Sequence, residues 1–188
     1  MRPLAKVKIG LGVISSYRRA RSIGITRRIN IPKAMKQIIK NVKQTIAQKK
    51  IMWAYPIALE LQKHHYSLAI QWAVKCIQIY SSEIESDKFS ELNIFIQQAR
   101  NSKDVLTCSQ CLEISKEIWY LPGREEIQTA ISQLWGSIAA FQDGDKHVGV
   151  MQTIAAVGLV LPDISDDALL DQYMKAAVRI YEEYESPS

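Results

Sequence analysis

Cys108-Ser-Gln-Cys111 sets two thiols three residues apart, a spacing used both to hold zinc and to carry a dithiol–disulfide couple. A structural zinc site needs four ligands, commonly from two such pairs. The chain has three cysteines and three histidines, and neither Cys76 nor any histidine stands at ligand spacing from the pair, so no metal is expected. On a helix, positions 108 and 111 share a face with Ser115, Ile118 and Trp119. Core packing is therefore the expected role of both thiols. A redox pair is the other reading, and it lacks the βαβ pattern in which such couples are usually found.

Other chemistry-bearing residues are less organised. His64, His65 and His147 have no serine or cysteine arranged beside them as a nucleophile motif, and they read as loop or helix-end histidines. The acids Glu125-Glu126, Asp143 with Asp145, and Asp166-Asp167 sit where turns and first helical turns favour carboxylates. Adjacent carboxylates also point in different directions on a helix, which suits acid–base work badly. Gly10-Leu-Gly12 faintly echoes a dinucleotide loop, but that motif requires an acid about twenty residues on. The first acid in this chain is Glu60. No GxxxxGK[ST], HExxH or GxSxG occurs. The expectation is a protein without enzymatic activity and without a cofactor.

The strongest signal is charge. The first fifty residues hold fourteen Lys or Arg and no acid, whereas residues 51–188 hold ten basic residues against nineteen acidic ones. Such a division suggests a cationic arm, residues 1–50, and an acidic folded body, residues 51–188. Arg18, Arg19, Arg21, Arg27, Arg28, Lys33, Lys36, Lys40 and Lys43 are the expected contacts to a partner or to phosphates. Trp53, beside Tyr55 at the junction, is the expected exposed anchor. An acidic protein surface is the first partner these charges suit. Nucleic-acid phosphate is the second, bound without sequence preference because Tyr17 is the sole aromatic before Trp53 and base stacking is poorly served. An anionic membrane surface is the third.

The elements that must position these residues read as helix after helix. Residues 1–31 alternate weakly and contain Gly10, Gly12 and Gly24, which fits two short strands or an extended arm. From Pro32, Met35, Ile38, Ile39, Val42 and Ile46 form an apolar stripe, predicting a basic amphipathic helix over about 33–50. Pro56 opens a second helix, and His64-His65 interrupts the chain. Ser67 is the expected cap of a third, with Leu68, Trp72, Cys76 and Tyr80 inward. Ser86-Asp87 begins a fourth with Phe89, Leu92, Ile96 and Ala99 inward, and Asp104 a fifth that Pro122-Gly123 stops. Arg124–Phe141 is the cleanest amphipathic stretch, and Asp143-Gly144-Asp145 is a turn. His147–Leu161 is apolar nearly all round and is expected to be central. Ser165 is expected to cap the last helix, whose seam is Leu170, Tyr173, Ala177, Ile180 and Tyr184. The fold class is all-α, a bundle or short array of seven to eight helices with a basic N-terminal extension.

Composition agrees. Apolar residues make up 47%, enough for a core, and no run of eighteen apolar residues marks a membrane span. Three cysteines form no closed disulfide framework, which points to a reducing compartment, the cytoplasm. The alternative is an organelle, if the acid-free, Arg- and Ser-bearing leader is a transit peptide.

From Tyr66 onward the order of features resembles a family of bacterial helical domains of unknown function, some encoded near type VI secretion genes. The stretches that carry the likeness are Ala69-Ile-Gln-Trp72-Ala-Val-Lys-Cys76, Glu91-Leu-Asn-Ile-Phe-Ile-Gln-Gln-Ala99-Arg100, Leu134-Trp135-Gly-Ser-Ile-Ala-Ala-Phe141, and the apolar Val150–Leu161 segment. The immunity-protein-5-like helical family is similar in the same way. Asp143-Gly144-Asp145 departs from the paired glycines of that turn, and the basic arm has no counterpart. The resemblance implies an all-α bacterial cytosolic protein without a known active site, and it assigns no residue roles. Together with the charge division it suggests an interaction or adaptor protein, immunity-like or part of a secretion or defence assembly. A nucleic-acid-associated protein is the alternative.

Overall fold

Apolar residues recurring every three to four positions can be buried together only if each segment coils as a helix and lays its stripe against another. A computed structural model describes residues 33–47, 51–83, 90–101, 106–121, 125–161 and 166–185. Among these residues are eight α-helices, one 3-10 turn and no strand, the all-α architecture that the periodicity predicts. The helices are α1 (Lys33–Ala47), α2 (Tyr55–His64), α3 (Tyr66–Glu83), α4 (Ser90–Asn101), α5 (Cys108–Ile118), α6 (Glu125–Gln142), α7 (Lys146–Leu159) and α8 (Asp167–Glu185), with the 3-10 turn Ile51–Ala54 between α1 and α2. Packing divides the chain between Asn30 and Ile31, so α1 belongs with the helices that follow it; the charge boundary near residue 50 is not a packing boundary. The segment 1–31, read from sequence as strands or an arm, lies outside the described residues.

The central helix is α3, not α7. It packs against α2, α4, α6, α7 and α8, and buries Leu68, Ala69, Ile70, Trp72, Ala73, Val74, Cys76, Ile77 and Tyr80. By contrast α7 leaves His147, Val148, Met151, Ala155 and Gly158 exposed along one side. That outer face mixes the small Ala155 and Gly158, whose exposure costs little, with the partly exposed Val148 and Met151.

Short polar contacts let α6 lie close to both neighbours. Ser115 on α5 and Ser132 on α6 exchange reciprocal bonds, each hydroxyl 3.0 Å from the other's carbonyl oxygen. Towards α7, the Ser137 and Thr153 hydroxyls stand 2.7 Å apart, at 2.7 and 2.9 Å from the Gly149 carbonyl oxygen. The two hydroxyls have two hydrogens between them: one satisfies the carbonyl and the other links the pair. The hairpin between α6 and α7 turns on Gly144 at φ +85°, the left-handed conformation that favours glycine, and the Asp145 carboxylate then accepts from Val148 N at 3.0 Å.

Three helix starts differ from those expected. His65, in extended conformation, caps α3: its Nδ1 accepts from Ser67 N at 3.2 Å, so Ser67 is the capped residue, not the cap. Thr107 opens α5 through a capping box, its Oγ1 accepting from Gln110 N at 3.3 Å while Gln110 Oε1 accepts from Thr107 N at 2.8 Å. Asp166 caps α8 by accepting from Leu169 N at 2.9 Å. Asp104 and Ser165, the caps expected for these two helices, lie outside the described residues.

Buried aromatic groups join the layers. The fully buried Trp72 indole donates to the Tyr173 carbonyl oxygen at 3.0 Å, and the Tyr173 hydroxyl donates to the Val160 carbonyl oxygen. Trp53 meets Trp72 edge to face at 6.2 Å. On the opposite side His65, Tyr66 and Phe141 stack in series.

Two glycines of α7 separate packing from propensity. A Cβ on Gly149 would lie 2.7 Å from the Phe141 ring, whereas one on Gly158 would meet nothing within 4 Å. Gly149→Ala is expected to cost about 1–3 kcal/mol through overpacking, and Gly158→Ala to gain about 0.5 kcal/mol. Urea unfolding midpoints of the two variants check the opposite signs.

Candidate functional site

The lysines of α1 fall at steps of three, four and three residues from Lys33 to Lys36, Lys40 and Lys43, which at 100° per residue confines them to an arc of about 80°. The apolar stripe lies on a different side. Met35 and Val42 are fully buried, Ile38 and Ile39 are half-buried, and through them α1 packs on the 3-10 turn and on α2. Lys36 and Lys40 are exposed, in a helix with no acid, and neither has an ion-pair partner among the described residues. Beside them Gln37 Nε2 donates to Asn41 Oδ1 at 2.8 Å, an uncharged bridge that leaves the lysines free to point outward. The side chains of Lys33 and Lys43 lie outside the described set, as do Arg18, Arg19, Arg21, Arg27 and Arg28.

Trp53 is not an exposed anchor. It is 3% exposed and packs on Trp72. Being next to a basic segment says nothing about where a side chain points, and the 3-10 turn rotates this indole inward. Trp119, expected to share the inner face of α5, is instead 52% exposed, and Tyr120 is 89% exposed. The helix ends at Ile118, and the next amides bond three residues back, Trp119 N to Lys116 O at 3.2 Å and Tyr120 N to Glu117 O at 3.0 Å. That tighter winding turns the Trp119 ring away from the face the α-helical period predicts.

A second cationic surface had no sequence signal. Lys75 on α3, Arg100 on α4 and Arg179 on α8 line a cleft of about 230 Å³ together with Val74, Ala176, Ile180 and one acid, Glu183. Arg179 is held by Glu183 at 2.9 Å within its own helix, while Lys75 and Arg100 have no ion-pair partner among the described residues. These three cations are brought together only by packing. Each alone reads as an ordinary surface residue.

The groups considered for catalysis remain apart. His64 is half-buried, edge-on to Tyr181 at 4.9 Å, with its Nε2 3.9 Å from Glu60 Oε1. Burial pushes the Tyr181 hydroxyl upward, with Glu185 and Glu60 adding to the shift. His147, Asp143 and Asp145 are exposed, and Glu125-Glu126 occupy the first turn of α6. Burial pushes the Cys76 thiol well up, offset in part by a backbone hydrogen bond. Cys111 is also fully buried, and burial followed by the neighbouring Cys108 raises its thiol. Among the described residues no group of three or more His, Cys, Asp or Glu is placed to hold a metal ion, and no helix is long and apolar enough to cross a membrane.

No family model matches the chain, and no curated protein or solved structure matches it significantly.

Trp119 is the one exposed indole among four, since Trp53, Trp72 and Trp135 are buried. Trp119→Phe is expected to remove most of the tryptophan emission that acrylamide quenches, and Trp53→Phe to leave it nearly intact. Stern–Volmer slopes of the two variants check the assignment.

Proposed function

We propose that the chain is a non-enzymatic helical adaptor that docks on an acidic protein surface, with the lysine face of α1 as a principal contact. The observation that carries this reading is the seating of α1: Met35 and Val42 fix the helix to the body, while Lys36 and Lys40 stand outward without partners among the described residues. Seating the helix beforehand leaves only the lysine rotamers to be ordered on binding, and their charge steers an acidic partner into register. The cleft of Lys75, Arg100 and Arg179 supplies a second positive surface on a body whose overall balance is acidic. The likeness to secretion-associated and immunity-like helical domains fits the same role, a member of a bacterial secretion or defence assembly.

The lysines would also suit phosphates, which keeps a nucleic-acid-associated protein as the second reading. It is the weaker of the two because α1 carries no aromatic residue on which a base could stack.

The test is affinity capture from lysate by the full chain and by a Lys36→Glu/Lys40→Glu double variant, with and without nuclease. A protein partner that survives nuclease is expected, with affinity lowered roughly tenfold or more by the charge reversals and by high salt. Undiminished capture by the double variant overturns the role of α1. Loss of all capture on nuclease treatment favours the second reading.

A further inference from the structure

Cys76 and Cys111 are fully inside the core, whereas Cys108 packs only partly against it and keeps a side open. Cys108 is the first residue of α5, directly after the Thr107 cap, and Cys111 follows one turn later. Their environments differ. Cys111 is fully buried, whereas Cys108 is half-buried and lines a shallow depression of about 380 Å³ with Tyr66, Leu106, Phe141 and Gln142. The Cys111 thiol lies 3.5 Å from Gln142 Oε1, so one glutamine borders the depression and touches the inner thiol. Gln142 Nε2 is buried and has no hydrogen-bond partner among the described residues.

The spacing brings the two thiols near bonding distance. In an α-helix, Cα atoms three residues apart stand about 5 Å from each other, inside the range a disulfide spans, and the Cβ atoms must close from about 5–6 Å to about 4 Å, a small adjustment at the first turn of a helix. Both side chains leave the same face. The reciprocal Thr107–Gln110 capping box holds this first turn formed whether the sulfurs are joined or not.

We propose that Cys108 and Cys111 form a redox-active dithiol that exchanges with disulfides of low-molecular-weight thiols, a property independent of the docking reading. Cys108, at the rim of the depression, attacks one sulfur of the incoming disulfide. That disulfide's S–S bond breaks, and its first thiol leaves with the proton given up by Cys108. The mixed disulfide on Cys108 is then resolved by Cys111, whose thiol loses its proton and attacks the Cys108 sulfur, releasing the second small thiol. The incoming disulfide is reduced to two thiols by two electrons, and the protein dithiol is oxidised to a Cys108–Cys111 disulfide. The inner thiol is buried and its titration raised, so the more open Cys108 is the one that meets an incoming disulfide first.

The test equilibrates the native full chain in buffers of reduced and oxidised glutathione, traps free thiols by alkylation, and maps the peptides by mass spectrometry. A Cys108–Cys111 disulfide is expected to form as the buffer is made oxidising, with Cys76 still reduced. Cys111→Ser is expected to stop at glutathione joined to Cys108, and Cys108→Ser to leave Cys111 unmodified over the same period. The wild-type map needs no variant, so a poorly folded substitution does not decide the matter. Absence of the internal disulfide at every buffer ratio, or oxidation of Cys76 alongside it in the folded chain, overturns the proposal.

Discussion

A fully buried indole has nowhere to place its N–H except on another protein group, and in this fold that necessity joins three helices. Trp72, on the central helix α3, donates to the Tyr173 carbonyl oxygen of α8, and the Tyr173 hydroxyl donates to the carbonyl of Val160 at the end of α7. Leaving either donor unpaired would cost about 1–3 kcal/mol, a large part of the stability of a domain this size. Trp53 closes the knot by packing its edge on Trp72, which fixes the 3-10 turn and, through it, the seat of α1. The lysine face is thus positioned by a contact that contains no charge.

The charged groups are correspondingly unengaged by the fold. Ion pairs between lysine or arginine and carboxylates among the described residues run within single helices: Glu60 with Lys63, Glu113 with Lys116, Asp171 with Lys175, and Arg179 with Glu183. Such pairs at three or four residues' spacing on an exposed face contribute only a few tenths of a kcal/mol each. Burial of apolar stripes, together with the serine and threonine contacts on α6, holds the helices together. Neither Lys36 nor Lys40 is neutralised by the molecule's own described acids, and that leaves their charge for a partner.

Much of the architecture was legible because helical periodicity is a local property. The stripe Ile127, Ala130, Ile131, Leu134, Ile138 and Phe141 is buried as its spacing predicts, and the Asp143-Gly144-Asp145 turn stands where its residue types demand. The misreadings arose where burial depends on neighbours outside the window. Trp53 turned inward because α3 offers the Trp72 ring, and α7, though packed on α2, α3 and α6, keeps one side open where His147, Val148, Met151, Ala155 and Gly158 are exposed. Trp119 escaped the core through a change of winding at the end of α5, which no period reports. The cationic cleft was illegible for a simpler reason: Lys75, Arg100 and Arg179 belong to three helices and meet only after folding. Capping followed the same division. The caps fell within a few residues of the expected positions but on other side chains: His65 at α3, Thr107 at α5 and Asp166 at α8.

The account rests on α1 being a seated helix that presents its lysines from a fixed platform. Hydrogen–deuterium exchange of the full chain, compared with Trp53→Ala, tests this most directly. Amides in the middle of α1 are expected to be protected in the wild type and to exchange much faster when the indole is removed, with α6 little changed. Unprotected α1 amides in the wild-type protein would contradict it.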